Sequence, residues 1–194
     1  MIKLARKHQR KGTGSNINML KKRTARRKWC DLSDVLSIPW AVVGAVGSRL
    51  YMPERATQDL DIAILARDRE IVREQLKSNG FKYQGELTIS GSSWLSYKGE
   101  SIDVIELDES YEDAVSLAQN NRDLQGLPIM PLEYLILLKY KSGRVQDIAD
   151  ISRMLGQAGD EKINDVRELF KALLPQEIKD LESLLELGKL ELKK

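Results

Sequence analysis

The chain has one cysteine, Cys30, and one histidine, His8. A lone cysteine excludes an internal disulfide framework and points to a reducing compartment, so a cytoplasmic location is expected. His8 lies in a basic, polar segment, where no metal role is expected of it. No run of about eighteen apolar residues occurs, which excludes a membrane span and a membrane partner from the expectations. The N-terminus is positively charged but lacks the apolar segment of a secretory signal. No internal repeat is visible. Residues 1–30 contain no acidic side chain at all.

That last absence sets the charge pattern. The formal net charge of +2 conceals eleven Lys and Arg in residues 1–30, which leaves 20 of the 31 basic residues, and all 29 acidic ones, for the rest of the chain. A basic arm on an acidic body suits contact with nucleic acid. It equally suits a solvated tail, or a segment that pairs with its own body. Trp29 is the one aromatic residue near the arm, a weak signal for base stacking. With 194 residues and 42% apolar content, the chain is long enough for one real core, with or without a small helical appendage.

The chain is organised around residues 38–65, IPWAVVGAVGSRLYMPERATQDLDIAIL. An apolar strand over 39–46 runs into a glycine-containing turn, and residues 47–52 start a helix. Pro53 bends the chain before a second strand over 59–66. Side chains alternate along a strand, so Asp59, Asp61 and Ala63 share one face, and Leu60, Ile62 and Ile64 the other. Two carboxylates side by side repel and resist burial. A divalent cation between them is the simplest compensation, and such oxygen ligands suit Mg²⁺ held together with substrate phosphates. The Gly44–Ser48 turn could offer backbone N–H groups to those phosphates.

Further along, residues 68–78 read as a helix with Ile71, Val72 and Leu76 inward and Asn79-Gly80 as its C-cap. Three strand candidates follow, 86–90, 93–98 and 101–107, separated by turns at Ser90-Gly91-Ser92 and Lys98-Gly99-Glu100. In the third, Asp103 sits among Ile and Val, which is costly without a partner; Glu106 points to the opposite face. Helices are expected over 110–119, 131–141 and 146–155, with Asp147 and Asp150 one turn apart on the polar side of the last. Residues 161–192 form two amphipathic helices broken at Pro175. Ile163, Val166, Leu169, Phe170 and Leu173 make one stripe, and Ile178, Leu181, Leu184, Leu185 and Leu190 the other. Residues 19–30 fit a short basic helix, and 12–16 a loosely packed polar stretch.

The glycine turn followed by Asp59-Leu-Asp61 resembles the nucleotidyltransferase (DNA polymerase beta-like) superfamily. Two registers fit. Gly47-Ser48-Arg49, ten residues (49–58) before Asp59, resembles minimal nucleotidyltransferases; Gly44-Ala45, thirteen residues (46–58) before it, resembles AbiEii-like toxins. The run Arg55-Ala-Thr57-Gln-Asp59-Leu-Asp61 favours the second. The resemblance covers roughly residues 38–155 and implies a set of roles. Asp59, Asp61 and Asp103 hold Mg²⁺ or Mn²⁺, and Asp103 also helps deprotonate the acceptor. Gly44, Ala45, Gly47, Ser48, Arg55 and Thr57 line the nucleotide. Lys139 approaches the triphosphate, Asp147 orients it or works as a further acid–base group, and Arg144 adds a phosphate contact.

The fold implied is α/β (α+β), a mixed sheet flanked by helices with a C-terminal helical part. The chain divides into a basic arm (1–30), a nucleotidyltransferase core (31–128) and a helical region (129–194). The function implied is metal-dependent transfer of a nucleotide from an NTP to an RNA hydroxyl, tRNA in particular, or to a protein hydroxyl. On the same resemblance the chain is the toxin of a toxin–antitoxin pair, with an antitoxin as partner. The alternative is a fold relative without turnover, acting as an RNA-binding or antitoxin-like regulator.

Overall fold

The computed structural model describes residues 28–192. The expected polar stretch at 12–16, and all but the end of the expected basic helix over 19–30, lie outside them; residues 28–30 are not helical. Among the described residues, five strands form one sheet: β1 (Ala41–Val42), β2 (Asp59–Leu65), β3 (Lys82–Glu86), β4 (Gly91–Leu95) and β5 (Ser101–Leu107). Their order is β1-β2-β5-β4-β3. β2 and β5 run parallel; the other neighbours are antiparallel. The α-helices among the described residues are α1 (Gly44–Ser48), α2 (Arg69–Ser78), α3 (Glu112–Ala118), α4 (Leu132–Ser142), α5 (Val145–Gln157), α6 (Asp160–Leu173) and α7 (Ile178–Leu192). This is the mixed sheet flanked by helices, with a helical C-terminal part, that the sequence leads one to expect.

Both faces of the sheet are covered, which is why β2 is so nearly continuous in apolar residues. Leu60, Ile62 and Ile64 pack with Ile102, Val104 and, from α2, Val72 and Leu76. On the other face Ala63, Leu65 and Leu107 meet residues of α3 to α7, among them Val115, Ile136, Ile151 and Phe170. The cover on this second face is incomplete. Asp59 is exposed and Asp61 half-buried, whereas everything from Ile62 onward in β2 is buried. The aspartates thus stand where the strands emerge from under the helices.

Several boundaries differ from the sequence expectation, each for a local reason. The first strand ends at Val42 because Gly44, at φ +60°, turns the chain directly into α1. That helix therefore lies over 44–48 and not 47–52. Ile71 is exposed, not inward; Val72 and Leu76 alone anchor α2. The strand expected at 86–90 is β3, four residues earlier. Gly91 is no hairpin turn but opens β4: at φ +144°, a Cβ there would fall 2.1 Å from the Val104 carbonyl oxygen. The turn at Lys98-Gly99-Glu100 is present, closed by the Gly99 N–H donating to the Ser96 carbonyl at 2.9 Å. Of the two terminal stripes, Ile163, Val166, Phe170, Leu181 and Leu185 are buried, but Leu173 and Leu190 are exposed.

Trp29 is buried in the core on the α2 side, and the Gln125 side chain brackets its backbone, accepting from its N–H at 3.0 Å and donating to its carbonyl at 2.6 Å. It is therefore packing, not a platform offered to a base. Among the described residues no helix is long and apolar enough to cross a membrane.

Candidate active site

The parallel register of β2 and β5 places Asp61 directly opposite Asp103. Asp59 is opposite Ser101, two residues back on the same face. Asp61 records the crowding. Burial, then the negative charges of Asp103 and Asp59, push its carboxyl up to about 6, with Arg144 and Lys139 pulling the other way. Glu106 belongs to the opposite face, where its buried carboxylate accepts from Arg69 Nε at 2.7 Å and Ser90 Oγ at 3.0 Å.

The two glycines of the turn do different things. At Gly44 the Asp61 carboxylate occupies side-chain space: a Cβ there would lie 1.8 Å from Asp61 Oδ2. The Val43 N–H donates to the Asp61 carbonyl at 2.9 Å, so β1 and β2 hold this contact in place. Gly47 instead presses α1 onto β1, for a Cβ there would be 2.8 Å from the Val42 carbonyl oxygen. Ala45 and Ser48 are buried, and Ser48 Oγ donates to the Gly44 carbonyl at 2.8 Å. Thr57 is half-buried, its hydroxyl 3.4 Å from the Asp59 carbonyl. Of the residues expected to line phosphates, then, Gly44 borders the aspartates, while Gly47 and the Ser48 side chain point into packing.

A second group of charges comes from the α4–α5 hairpin. Lys139 is 4% exposed, and its Nζ donates to Asp147 Oδ1 and Asp150 Oδ2, each at 2.9 Å. Asp147 also accepts from Arg144 Nε at 2.6 Å and from the Ser142 hydroxyl. Burial by itself would raise the Asp147 carboxyl, but the bonds from Lys139, Ser142 and Arg144 outweigh it and hold the group below its ordinary value. Asp150, fully buried, further accepts from Arg55 Nε at 3.1 Å and Gln146 Nε2 at 3.2 Å. Lys139, Arg55 and Arg144 against Asp147 and Asp150 leave this group one positive charge in excess, within electrostatic reach of Asp61.

Asp147 and Asp150 do not lie on a solvated face, as helical periodicity suggests. The ammonium that buries them comes from the preceding helix, eight and eleven residues away, and a spacing count within one helix cannot supply it. Asp150 is the residue that the sequence reasoning passed over. The signal available was a pair of aspartates one turn apart, downstream of an apolar helix with Lys139 and Lys141 in its last turn.

The donor chemistry on the sheet suits a hard divalent cation: three carboxylates on one face, one of them burdened by the other two. Among the described residues, no three His, Cys, Asp or Glu side chains already enclose an ion-sized space. Clefts of about 460 Å³, beside Tyr51 and Lys162, and of about 570 Å³, beside Tyr140 and Asp180, lie elsewhere, and the three aspartates line neither.

No family model and no curated protein matches this sequence. Among solved structures, the chain is similar to the antibiotic-resistance factor ANT(2″)-Ia in solution, at 14% identity and a TM-score of 0.44 over 94% of this chain and 97% of that one. The crystal structure of ANT(2″)-Ia with adenylyl-2″-tobramycin gives 15% and 0.44, over 90% and 98%. The lincosamide antibiotic adenylyltransferase LnuA, lincomycin-bound, gives 12% and 0.37, over 67% and 84%.

Proposed function

We propose that the chain is a nucleotidyltransferase of the polymerase-beta-like superfamily that moves a nucleotide from an NTP to a hydroxyl acceptor. The observation that carries this reading is Asp61 facing Asp103 across two parallel strands, with Asp59 beside them and Gly44 against the Asp61 carboxylate. Asp59, Asp61 and Asp103 would hold Mg²⁺ or Mn²⁺. When bound, such an ion neutralises charge on the phosphates and on the attacking and leaving oxygens.

The protein's own groups divide the remaining work. The acceptor oxygen attacks the α-phosphorus, its proton passes to the Asp103 carboxylate, and the bond to the β-phosphate breaks to release pyrophosphate. First-turn N–H groups of α1, which have no partner within the helix, suit the phosphates beside Gly44. Arg55 and Arg144 offset phosphate charge, and Asp147 fixes Lys139 and Arg144. Lys139 acts from beneath the site as a buried charge.

An RNA acceptor, tRNA in particular, is favoured over a protein hydroxyl by the eleven basic residues among the first thirty. The cellular role that fits the AbiEii-like register is that of a toxin held by an antitoxin. Incubation with Mg²⁺, each of the four α-labelled NTPs and total tRNA is the test. Label on tRNA that disappears with Asp59→Ala supports the reading; absence of transfer to tRNA and to any protein overturns it. A second reading, an RNA-binding regulator without turnover, is favoured by one observation: the aspartates do not yet enclose an ion-sized space. That reading expects tRNA binding unaffected by Mg²⁺ and by Asp59→Ala.

A further inference from the structure

We propose that Asp150 is a positioning residue for the nucleotide triphosphate, acting through Arg55. This rests on the nucleotidyltransferase reading and adds to it a residue outside the expected site. Asp150 is fully buried on α5 and accepts from two cations that approach along different routes. One is Lys139 from α4; the other is Arg55 from the 49–58 connection between α1 and β2. That connection leads straight into Asp59, so Asp150 ties the strand of the aspartates to the α4–α5 hairpin.

The geometry of the second contact matters. A guanidinium is planar and presents more than one edge of donors. Asp150 takes Arg55 through Nε at 3.1 Å. The two terminal amino groups of Arg55 have no hydrogen-bond or ion-pair partner among the described residues. The side chain is 31% exposed, so those amino groups reach solvent while the Nε edge is held from inside. An arginine gripped by one edge is pre-ordered to receive an anion with the other, and polyphosphate oxygens match that fork. Lys139 divides its single charge between Asp147 and Asp150, so Asp150 needs a second cation, and Arg55 supplies it. A fully buried carboxylate that also recruits an arginine from a loop is orienting that loop.

The experiment measures binding of the Mg²⁺ complexes of the four NTPs, as non-hydrolysable analogues, to the full chain and its variants. Asp150→Asn keeps the shape but loses the charge. It is expected to weaken the analogue that wild type prefers by about tenfold or more. Arg55→Ala should do the same, and the double variant no worse than either, because both act through one contact. In turnover, KM for the NTP should rise in both while kcat changes much less. Independent, multiplying losses in the double variant would overturn the proposal, as would wild-type affinity in Asp150→Asn.

If Asp150→Asn does not fold, Arg55→Lys decides. A lysine at position 55 can satisfy Asp150 but has no second edge, so it should bind as weakly as Arg55→Ala; affinity restored to wild type overturns the proposal. Failure of wild type to bind any of the four analogues would overturn the nucleotidyltransferase reading itself, and this inference with it. Normal wild-type binding with unaffected variants overturns only the role of Asp150.

Discussion

The Asp61 carboxylate occupies the place where Gly44 would carry a side chain, with Oδ2 only 1.8 Å from that Cβ position. Gly44 also holds φ +60°, where other residues are strained. Backbone bend and carboxylate are therefore one feature. Gly44→Ala should cost about 1–3 kcal/mol in urea unfolding through strain and displacement. Nucleotide transfer should fall by more than the fraction unfolded explains, because Asp61 is the group displaced. Gly80→Ala, also at positive φ but in open space, is the control: a comparable stability loss with unchanged transfer.

The raised Asp61 carboxyl gives a pH dependence whose sign follows from linkage. Burial, Asp103 and Asp59 lift it to about 6 in the folded chain, from near 4 when unfolded. The folded state thus holds this proton more tightly. The group's stabilising contribution is complete below about pH 4 and is lost as pH rises through about 6. Asp61→Asn should accordingly raise stability at pH 7.5 by roughly 1–3 kcal/mol and change little at pH 4, as thermal melts at both pH values will read. Added Mg²⁺ should raise Tm of wild type at pH 7.5, EDTA should reverse it, and Asp61→Asn should not respond.

Lys139 balances two buried carboxylates at once. Truncation leaves Asp147 with Arg144 and Ser142, and Asp150 with Arg55 and Gln146. Breaking a buried pair by removing one partner costs about 3–5 kcal/mol, so Lys139→Met should be destabilised by roughly that amount in denaturant titration. Replacing all three by apolar residues should recover much of the stability and none of the transfer. A stable triple variant that still transfers nucleotide would show the charges to be structural only.

Much of the scaffold was legible from local chemistry. Alternation in β2 put Asp59 and Asp61 on one face. The same parity placed Asp103 apart from Glu106, and the structure buries Glu106 on the α2 side. Apolar periodicity located α2 and α4 to α7 within a few residues, because amphipathic helices over a sheet need that pattern. The misses were local competitions. Gly44 ended β1 early because its positive φ overrode the apolar run. Gly91 looked like a turn because close approach of another backbone, the Val104 carbonyl, leaves no trace in a sequence.

By itself the sequence determined which side chains could share a face, since strand and helix periods follow from backbone geometry alone. It determined the charge asymmetry too, because that is a plain count. Only the tertiary structure decided that β2 pairs in parallel with a strand some forty residues later, in the register that sets Asp61 against Asp103. Only it decided that Lys139 and Arg55 converge on Asp150. Contacts between distant segments depend on how whole layers pack, and the cost of burying a charge is known only once its partner has arrived.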